Sequence, residues 1–574
     1  MSINVDTRKW VVGKDYPEWM DEIGMSTISK GYLMPDENVF DGFKRVSKAA
    51  AKRLKRKDLQ PIFYEAMVKN WLCLASPVLS NMGTERGLPI SCYGIDVDDS
   101  IEGIASSNSE LMKLSSQGGG VGMSLSRIRG RGKTIKDNGV SEGIIPWAKI
   151  YDSTILATNQ GSVRRGAASF NLNINHPDIE EFLMMRRPKG DVNRQCLNTH
   201  HCVIIDDEFM VKIEDRDAHA LKLWGEILRT RLETGEPYIM YYDNVQKTNP
   251  EGYKKLNLDV SMTNICSEIV LHTDPLHSFI CCLSSLNLAK YDEWKDYKFE
   301  NGMTIPQVAA WFLEGVMQEF IDRAKSLRFM ENTVRSAQKG RAIGIGVLGW
   351  HTYLQSKGLP FAGLQANAYT REIFSFIDSE SLKASQDMAV EYGEPEWCKG
   401  TGVRHTHRMA IAPTVSNAII SGGVSPSIEP LPANIFNLKT SKGVFIKKNA
   451  ELEKLLHTKG YNITSVWDQI AKDQGSVYGL ADHIMTPEEK EVFKTFKEIN
   501  QLEIVRQAGI RQQYIDQAVS LNLCFDPNDT PRWMSEVHKE AHKVGIKTLY
   551  YLRTESVLRG DNLDRTASCI SCEG

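Results

Sequence analysis

Three stretches of this chain space side chains for chemistry as well as for packing. TNICSEIVLHT carries Asn264, Cys266 and Glu268 at alternate positions. On a strand or extended loop their amide, thiol and carboxylate face one way. A neighbouring carboxylate raises a thiol's pKa, so Cys266 is a poor thiolate nucleophile. No histidine adjoins it to serve as a protease-type base. Such a thiol can instead lose a hydrogen atom, with the carboxylate as base toward a substrate and the amide orienting it. LPISCYG and FICCLSSLNL contribute Cys92 and Cys281. If these two face each other, they can deliver two electrons and become a disulfide. The terminal ASCISCEG holds Cys569 and Cys572, which either bind metal or reduce that disulfide by thiol exchange. One Cys-x-x-Cys is only half a structural zinc site. KTLYYLRT adds Tyr550 and Tyr551, a pair that by itself reads as core packing.

Other segments suit phosphate. SSQGGGVGMSLSRIRGRGKT ends in Gly132-Lys133-Thr134, but Arg127 stands where a P-loop needs glycine, so that reading fails. Its Gly118, Gly119, Gly120 and Gly122 still permit close backbone approach, with Arg127 and Arg129 available to an anion. NQGSVRRGAASFNLN and APTVSNAIISGGVSPSIEP are further Gly-containing loops with hydroxyl, amide or arginine side chains. Three such loops suggest more than one nucleotide.

The elements that must hold these residues alternate. HCVIID, SEIVL and MAIAP read as short strands, separated by amphipathic stretches such as ALKLWGEILRTRLE and VAAWFLEGVMQEFIDRAKS. Alternation from about 70 to 545 predicts an α/β architecture with a largely parallel sheet. Residues before 70 read as helical, with Phe43, Val46, Ala50 and Leu54 on one face and Lys and Arg elsewhere. After KTLYYLRT the chain turns polar, so 555–574 is expected to be a flexible tail.

Bulk properties narrow the class. The 574 residues are 41% hydrophobic and 25% charged, enough for a sizeable core. A net charge of −3 gives no field favouring nucleic acid or membrane. There is no long apolar run and no apolar N-terminal core, so a cytoplasmic location is expected. Eleven cysteines, an odd number without an export signal, argue against a disulfide framework. Cys73, Cys196, Cys202, Cys282, Cys398 and Cys524 lie in mixed apolar contexts suited to buried thiols.

The motifs occur in one order: SPVLSNMG, SCYGIDVDDSIEGI, QGGGVG…RIRG, QGSVRRGAA, TNICSEI, CLSSLNLA, AIGIGVLGW, APTVSN…SIEP, LYYLRT and the terminal cysteine pair. Over about residues 70 to 574 this resembles the large, catalytic subunit of class I ribonucleotide reductases. The resemblance implies a ten-stranded α/β barrel of two five-stranded parallel halves with a central finger loop. The expected domains are a helical region 1–70, the barrel 71–554 and the redox tail 555–574.

By the same resemblance, the enzyme is a ribonucleoside-diphosphate reductase making 2′-deoxyribonucleotides for DNA synthesis. Cys266 would be the thiyl radical that takes the ribose 3′ hydrogen, Glu268 would accept the 3′-hydroxyl proton and Asn264 would bind the sugar. Cys92 and Cys281 would reduce the substrate and end as a disulfide; Cys281 matches the family position and Cys282 is the bystander. Tyr550 and Tyr551 match the stacked pair that passes the radical inward. Cys569 and Cys572 match the tail pair reduced by thioredoxin or glutaredoxin. Substrate would meet Ser76, Ser91, Gly120, Thr414, Ser416 and Asn417, the last standing where the family usually has a hydroxyl. Asp99, Ser100, Ile101 and Arg129 match an effector site at a homodimer interface, read out through a specificity loop with Gln160 and Arg164. Allosteric nucleoside triphosphates with Mg would bind there, and no cofactor or metal would be tightly held by this chain.

Two absent patterns shape the expectation further. Val-x-Lys-Arg-x-Gly, the mark of the family's ATP-cone, is missing, so no overall-activity site is expected. Glu-x-x-His is missing too, so the radical metallocofactor is expected in a separate small subunit. Other readings are an adenosylcobalamin-dependent class II reductase, against which the tyrosine pair argues, and a non-enzymatic zinc- or nucleotide-binding protein. A glycyl-radical enzyme needs an Arg-Val-x-Gly type glycine, which VLRGDNLDR does not supply.

Overall fold

The computed structural model describes residues 10–90, 92–136, 138–158, 166–188, 190–440 and 443–554. Ser91, Gln160, Arg164, Cys569, Cys572 and the tail 555–574 lie outside the described residues.

The strands in chain order are β1 (Leu72–Leu74), β2 (Cys92–Asp96), β3 (Gly120–Ser124), β4 (Ala167–Asn173), β5 (His200–Ile205), β6 (Tyr238–Tyr241) and β7 (Phe279–Ile280). They continue with β8 (Leu283–Asn287), β9 (Gly344–Leu348), β10 (Ile435–Thr440), β11 (Gly443–Lys448), β12 (Leu523–Cys524), β13 (Thr548–Leu549) and β14 (Leu552–Arg553). β2 through β6 pair in sequence order, every pair parallel. Helices such as Ile101–Ser116, Ile145–Thr158 and Ala218–Thr234 make the crossovers. This is one five-stranded half.

The second half is built from shorter pieces. β8 pairs parallel with β9, Ile345 bridges parallel to Met409, and Ile411 bridges parallel to Val519. β12 then pairs parallel with β14. Five chain segments thus run side by side, near 283–287, 344–348, 409–411, 519–524 and 552–553.

Two continuous segments sew the halves together. β7 lies antiparallel on β2 and the chain passes from it straight into β8. β13 lies antiparallel on β6, and two residues later β14 joins the other half. The sheet therefore closes on both sides, which leaves no free edge between the halves and makes the expected ten-stranded barrel. MAIAP enters it through single bridges, and SEIVL forms no strand at all. Residues 263–271 are instead a buried loop inside the barrel.

The N-terminal helices share the barrel's core. Val39–Leu54 starts with an Asn38–Asp41 capping box and buries Phe43, Val46, Ala50 and Leu54. It packs on Ile305–Ala324, a helix buried almost all round. Each large apolar side chain so buried contributes about 1.5–3 kcal/mol.

Candidate active site

The reactive residues meet through backbone geometry. β2 and β7 run antiparallel with Tyr93 opposite Ile280, and one step further the Cys281 N–H donates to the Cys92 carbonyl at 2.9 Å. The register therefore sets Cys92 beside Cys281. Gly94 is required there, because a Cβ would lie 2.2 Å from the Phe279 ring. Cys282 turns the other way, its thiol donating to the Leu313 carbonyl at 3.4 Å.

The loop that carries Cys266 is a turn and neither the strand nor the extended loop that alternation suggested. Asn264 N–H donates to Ile269 O at 3.3 Å, Ser267 N–H donates to Asn264 O at 3.2 Å, and Ser267 takes φ 68°. The Asn264 side chain adds a brace, Oδ1 accepting from Ile269 N–H at 3.0 Å. Asn171 on β4 pins the loop base, donating to Thr263 O at 3.1 Å and accepting from Thr263 N–H at 3.3 Å. Gly122 on β3 leaves room for it: a Cβ would stand 2.5 Å from Thr263 O.

The turn brings amide, thiols and carboxylate together. Asn264 Nδ2 lies 3.0 Å from Cys92 Sγ and 3.5 Å from Cys281 Sγ. Ser520 Oγ is 2.5 Å from the Cys266 carbonyl and 3.2 Å from Glu268 Oε2. The Glu268 carbonyl accepts from Ala518 N–H at 2.9 Å. Sequence reasoning missed Ser520; only the fold brings it within reach of a loop some 250 residues earlier.

Electrostatics follow from burial. Desolvation pushes the Glu268 carboxyl up to about 7, against hydrogen bonds from Asn264 and Ser520. Cys281 is raised well above the usual thiol range by burial, then by Cys92, Glu268 and Cys266. At neutral pH Cys281 is a thiol, able to give up hydrogen, while Glu268 sits near its midpoint as an acid–base group.

Tyr550 and Tyr551 stand at the edge of this centre. Their ring centroids are 4.3 Å apart at 55°, so the pair is tilted and not stacked in parallel. Tyr550 is buried in the apolar cluster that also contains Cys266. Tyr238 joins them, 4.7 Å from Tyr550 and 5.1 Å from Tyr551, and His200 lies 6.1 Å from Tyr551. Buried Glu236 holds His200 at 2.6 Å and His201 at 3.2 Å. No local spacing marks Tyr238 or His200 as neighbours of the pair.

The candidate phosphate and effector residues form two further groups. Ser76 begins Ser76–Asn81 and contacts Tyr32 Oη at 3.2 Å. Thr414 precedes Val415–Ile420, which contains Ser416 and Asn417. These segments abut, Ser421 Oγ donating to Cys73 Sγ at 3.1 Å and Asn70 Nδ2 to Ser421 O at 3.1 Å. Gly120 is the β3 residue opposite Cys92. Elsewhere, Arg129 pairs with Asp99 at 2.7 Å, Ser100 caps Ile101–Ser116, and Ile101 is 65% exposed. Arg127 is committed to the buried Asp96 at 2.6 Å and differs from Arg129 in that respect.

A closed ten-stranded barrel with three cysteines, an asparagine and a glutamate around an internal loop is the arrangement that the motif resemblance to ribonucleotide reductase large subunits implies. Comparison with known proteins agrees. Residues 90–222, 211–401 and 395–552 match "Ribonucleotide reductase, barrel domain", and residues 18–87 match "Ribonucleotide reductase, all-alpha domain". The chain belongs to the ribonucleotide reductase large-subunit family. It is 33% identical to the "Ribonucleoside-diphosphate reductase large subunit" of Invertebrate iridescent virus 3, covering 96% of this chain and 98% of that one. It is 37% identical to the "Putative ribonucleoside-diphosphate reductase large subunit" of Frog virus 3, over 88% of this chain and 91% of that one. Among solved structures it is similar to the Actinobacillus ureae class Id ribonucleotide reductase alpha subunit. That match has TM-score 0.86 and 36% identity, over 95% of this chain and 98% of that one.

Proposed function

We propose that this chain is the catalytic subunit of a class I ribonucleoside-diphosphate reductase and that its thiols perform the reduction. The observation that carries the reading is the meeting of Cys92, Cys281 and Asn264 beside Cys266 and Glu268 inside one barrel. As a thiyl radical, Cys266 takes the 3′ hydrogen atom of the ribose. Glu268 accepts the 3′-hydroxyl proton. The 2′-hydroxyl leaves as water after protonation by the Cys92–Cys281 pair. That pair supplies two electrons: one S–H gives the proton that leaves in the water, the other delivers its hydrogen to C2′, and the two sulfurs join as a disulfide. Cys266 then returns the hydrogen atom to C3′, which regenerates its thiyl radical, and Glu268 gives the proton back to the 3′ oxygen.

The oxidising equivalent comes from a metallocofactor in a separate small subunit when that partner is bound, and Tyr551 and Tyr550 relay it toward Cys266. Cys569 and Cys572 reopen the disulfide and are themselves reduced by thioredoxin or glutaredoxin. Ser76, Ser91, Gly120, Thr414, Ser416 and Asn417 receive the substrate. Asp99, Ser100, Ile101 and Arg129 receive a nucleoside triphosphate with Mg between two copies of the chain, and Gln160 and Arg164 report its identity. The exposed apolar Ile101, Met112, Ile150 and Leu156, on two helices packed together, suit such a homodimer face. Among the described residues no helix is long and apolar enough to cross a membrane, and we assign the work to the cytoplasm.

The test is deoxynucleotide formation from a ribonucleoside diphosphate, an effector triphosphate and dithiothreitol. Parallel reactions add a cognate metal-loaded small subunit, adenosylcobalamin, or neither. Product only with the small subunit supports the reading; product with cobalamin alone assigns the chain to class II.

A further inference from the structure

The segment leading from the finger loop to the reducing cysteine carries three ligand-type side chains that the proposed reaction does not use. His272, Asp274 and His277 lie between Glu268 and Cys281, spaced His-x-Asp-x-x-His. One imidazole nitrogen from each histidine and a carboxylate oxygen of Asp274 all fall within 4.8 Å of one another. The sequence expectation of no tightly held metal came from the family resemblance, and the missing Glu-x-x-His argued only against a helical di-iron site; neither bears on ligands gathered on a loop.

Hydrogen bonding fixes how the nitrogens point. His272 Nδ1 lies 2.6 Å from the Asp259 carbonyl, which only accepts, so Nδ1 carries the proton. In a neutral ring Nε2 is then an acceptor, yet it faces Asp274 Oδ2, another acceptor, at 3.3 Å. His277 Nδ1 faces both Asp274 oxygens at 3.0 Å. His277 can meet both oxygens as a neutral Nδ1–H donor, but His272 Nε2 and Asp274 Oδ2 are two acceptors face to face, and a proton or a metal ion has to stand between them. A carbonyl behind a ligating imidazole is the usual way a metal site sets its tautomer.

The three side chains are also held in place before any ion arrives. Asp274 and His277 exchange backbone hydrogen bonds of 3.2 and 3.0 Å across a two-residue turn, and the Leu276 N–H donates to Asp274 Oδ1 at 2.7 Å. Thr273 Oγ1 donates to the His277 carbonyl at 2.6 Å. The Trp397 ring lies 5.4 Å from each imidazole and walls one side. The side chains of His272 and His277 are 8% and 15% exposed and that of Asp274 30%, so the cluster is sheltered but open enough to admit a fourth ligand.

We propose that His272 Nε2, Asp274 and His277 Nδ1 bind one Zn²⁺ ion, which clips the loop joining Glu268 to Cys281. Two imidazoles and a carboxylate suit zinc with a water in the fourth position, and do not suit the all-oxygen preference of Ca²⁺ or Mg²⁺. The ion stands outside the reaction and stiffens the connection between the base and one reducing thiol. This inference rests on the loop alone and holds whichever radical source the enzyme uses.

The experiment is a cobalt titration of the metal-stripped full chain, followed by displacement with Zn²⁺. The site predicts one equivalent of Co²⁺ with visible d–d absorbance and no sulfur-to-metal charge-transfer band. That signal persists in a Cys569→Ser/Cys572→Ser variant and is lost in His272→Asn/His277→Asn. Zn²⁺ should raise the melting temperature of the wild type and leave the double histidine variant unmoved. If that variant does not fold, His277→Cys serves: it should keep the metal and gain the charge-transfer band. A wild-type signal that is purely thiolate in character overturns the site. So does a Co²⁺ signal that survives loss of both histidines, or no metal response at all, which would mean a proton joins His272 to Asp274.

Discussion

Asn264 Nδ2 stands 3.0 Å from Cys92 Sγ while Asn264 Oδ1 accepts from Ile269 N–H at 3.0 Å. One side chain thus braces the finger loop and touches the Cys92 thiol. Asn264→Asp keeps the acceptor and removes the donor, and it adds a negative charge beside Glu268. A lost donor in a buried site costs about 10²–10³-fold in kcat. The added charge should also move the ascending limb of the pH–rate profile to higher pH. Steady-state assays across pH measure both effects.

Glu268 gives the wild type a distinct pH dependence. Burial raises its carboxyl to about 7, and only the ionised form accepts a proton. Reductase activity limited by chemistry should therefore climb as pH rises through about 7 and level off above. Glu268→Gln should be inactive at every pH. For stability the sign is opposite: a carboxyl raised by folding favours the folded state at low pH and loses that advantage as pH rises toward 7.

Ser520 is a positioning residue, since it touches the Cys266 carbonyl and the Glu268 carboxylate. Ser520→Ala should lower kcat by about 10- to 100-fold, the usual result of a small misplacement of reacting groups. KM for the diphosphate should stay near the wild-type value, and the Glu268-dependent limb should shift upward with one hydrogen bond gone. Ser520→Thr should recover part of the loss.

What could be read in the sequence was what is local. The motif order offered Cys92, Cys266, Cys281, Asn264 and Glu268 as candidates, which the fold brings together, and the alternation of strand and helix pointed to the α/β class. Register was not legible: Cys92 meets Cys281 only because β2 and β7 pair antiparallel. Alternation alone reads the Cys266 segment as a strand or extended loop, since it looks the same there and on a turn with Ser267 at positive φ; only the motif resemblance implies the finger loop. The second half of the barrel hides because its strands at 409–411 and 519–524 are too short to show a period of two. Ser520, Tyr238 and His200 enter through contacts hundreds of residues apart, beyond any spacing rule.

The tyrosine pair makes a sharp prediction. Tyr550 is buried against the Cys266 cluster and Tyr551 is the more open of the two, the order expected of an inward relay. Tyr550→Phe and Tyr551→Phe should each reduce small-subunit-dependent turnover to below about a thousandth. Diphosphate binding by calorimetry should be unchanged. Packing alone would leave turnover close to wild type, because the ring remains.

Stability away from the site should hinge on Glu314. Its buried carboxylate bonds Arg341 at 2.9 Å, Arg404 at 2.6 Å and His405 at 3.2 Å. Burial opposes its ionisation, but Arg341, His405 and Arg404 outweigh that and hold the carboxyl far below its usual range. Glu314→Leu leaves buried guanidinium groups uncompensated and should cost about 3–5 kcal/mol, read as a lower melting temperature. A lowered carboxyl contributes above its unfolded pKa and is lost in acid. The gap between wild type and variant should accordingly narrow below about pH 4.

The most direct test of the thiol chemistry is a single turnover. The fully reduced chain, with its small subunit, effector and a ribonucleoside diphosphate but no added reductant, is quenched and its disulfides are mapped by mass spectrometry. In a Cys569→Ser/Cys572→Ser background, deoxynucleotide should appear in step with one Cys92–Cys281 disulfide. Cys282→Ser should behave as wild type, and Cys281→Ser should form neither product nor bond. Deoxynucleotide made without a Cys92–Cys281 disulfide, or with a bond to Cys282 in its place, would contradict the account.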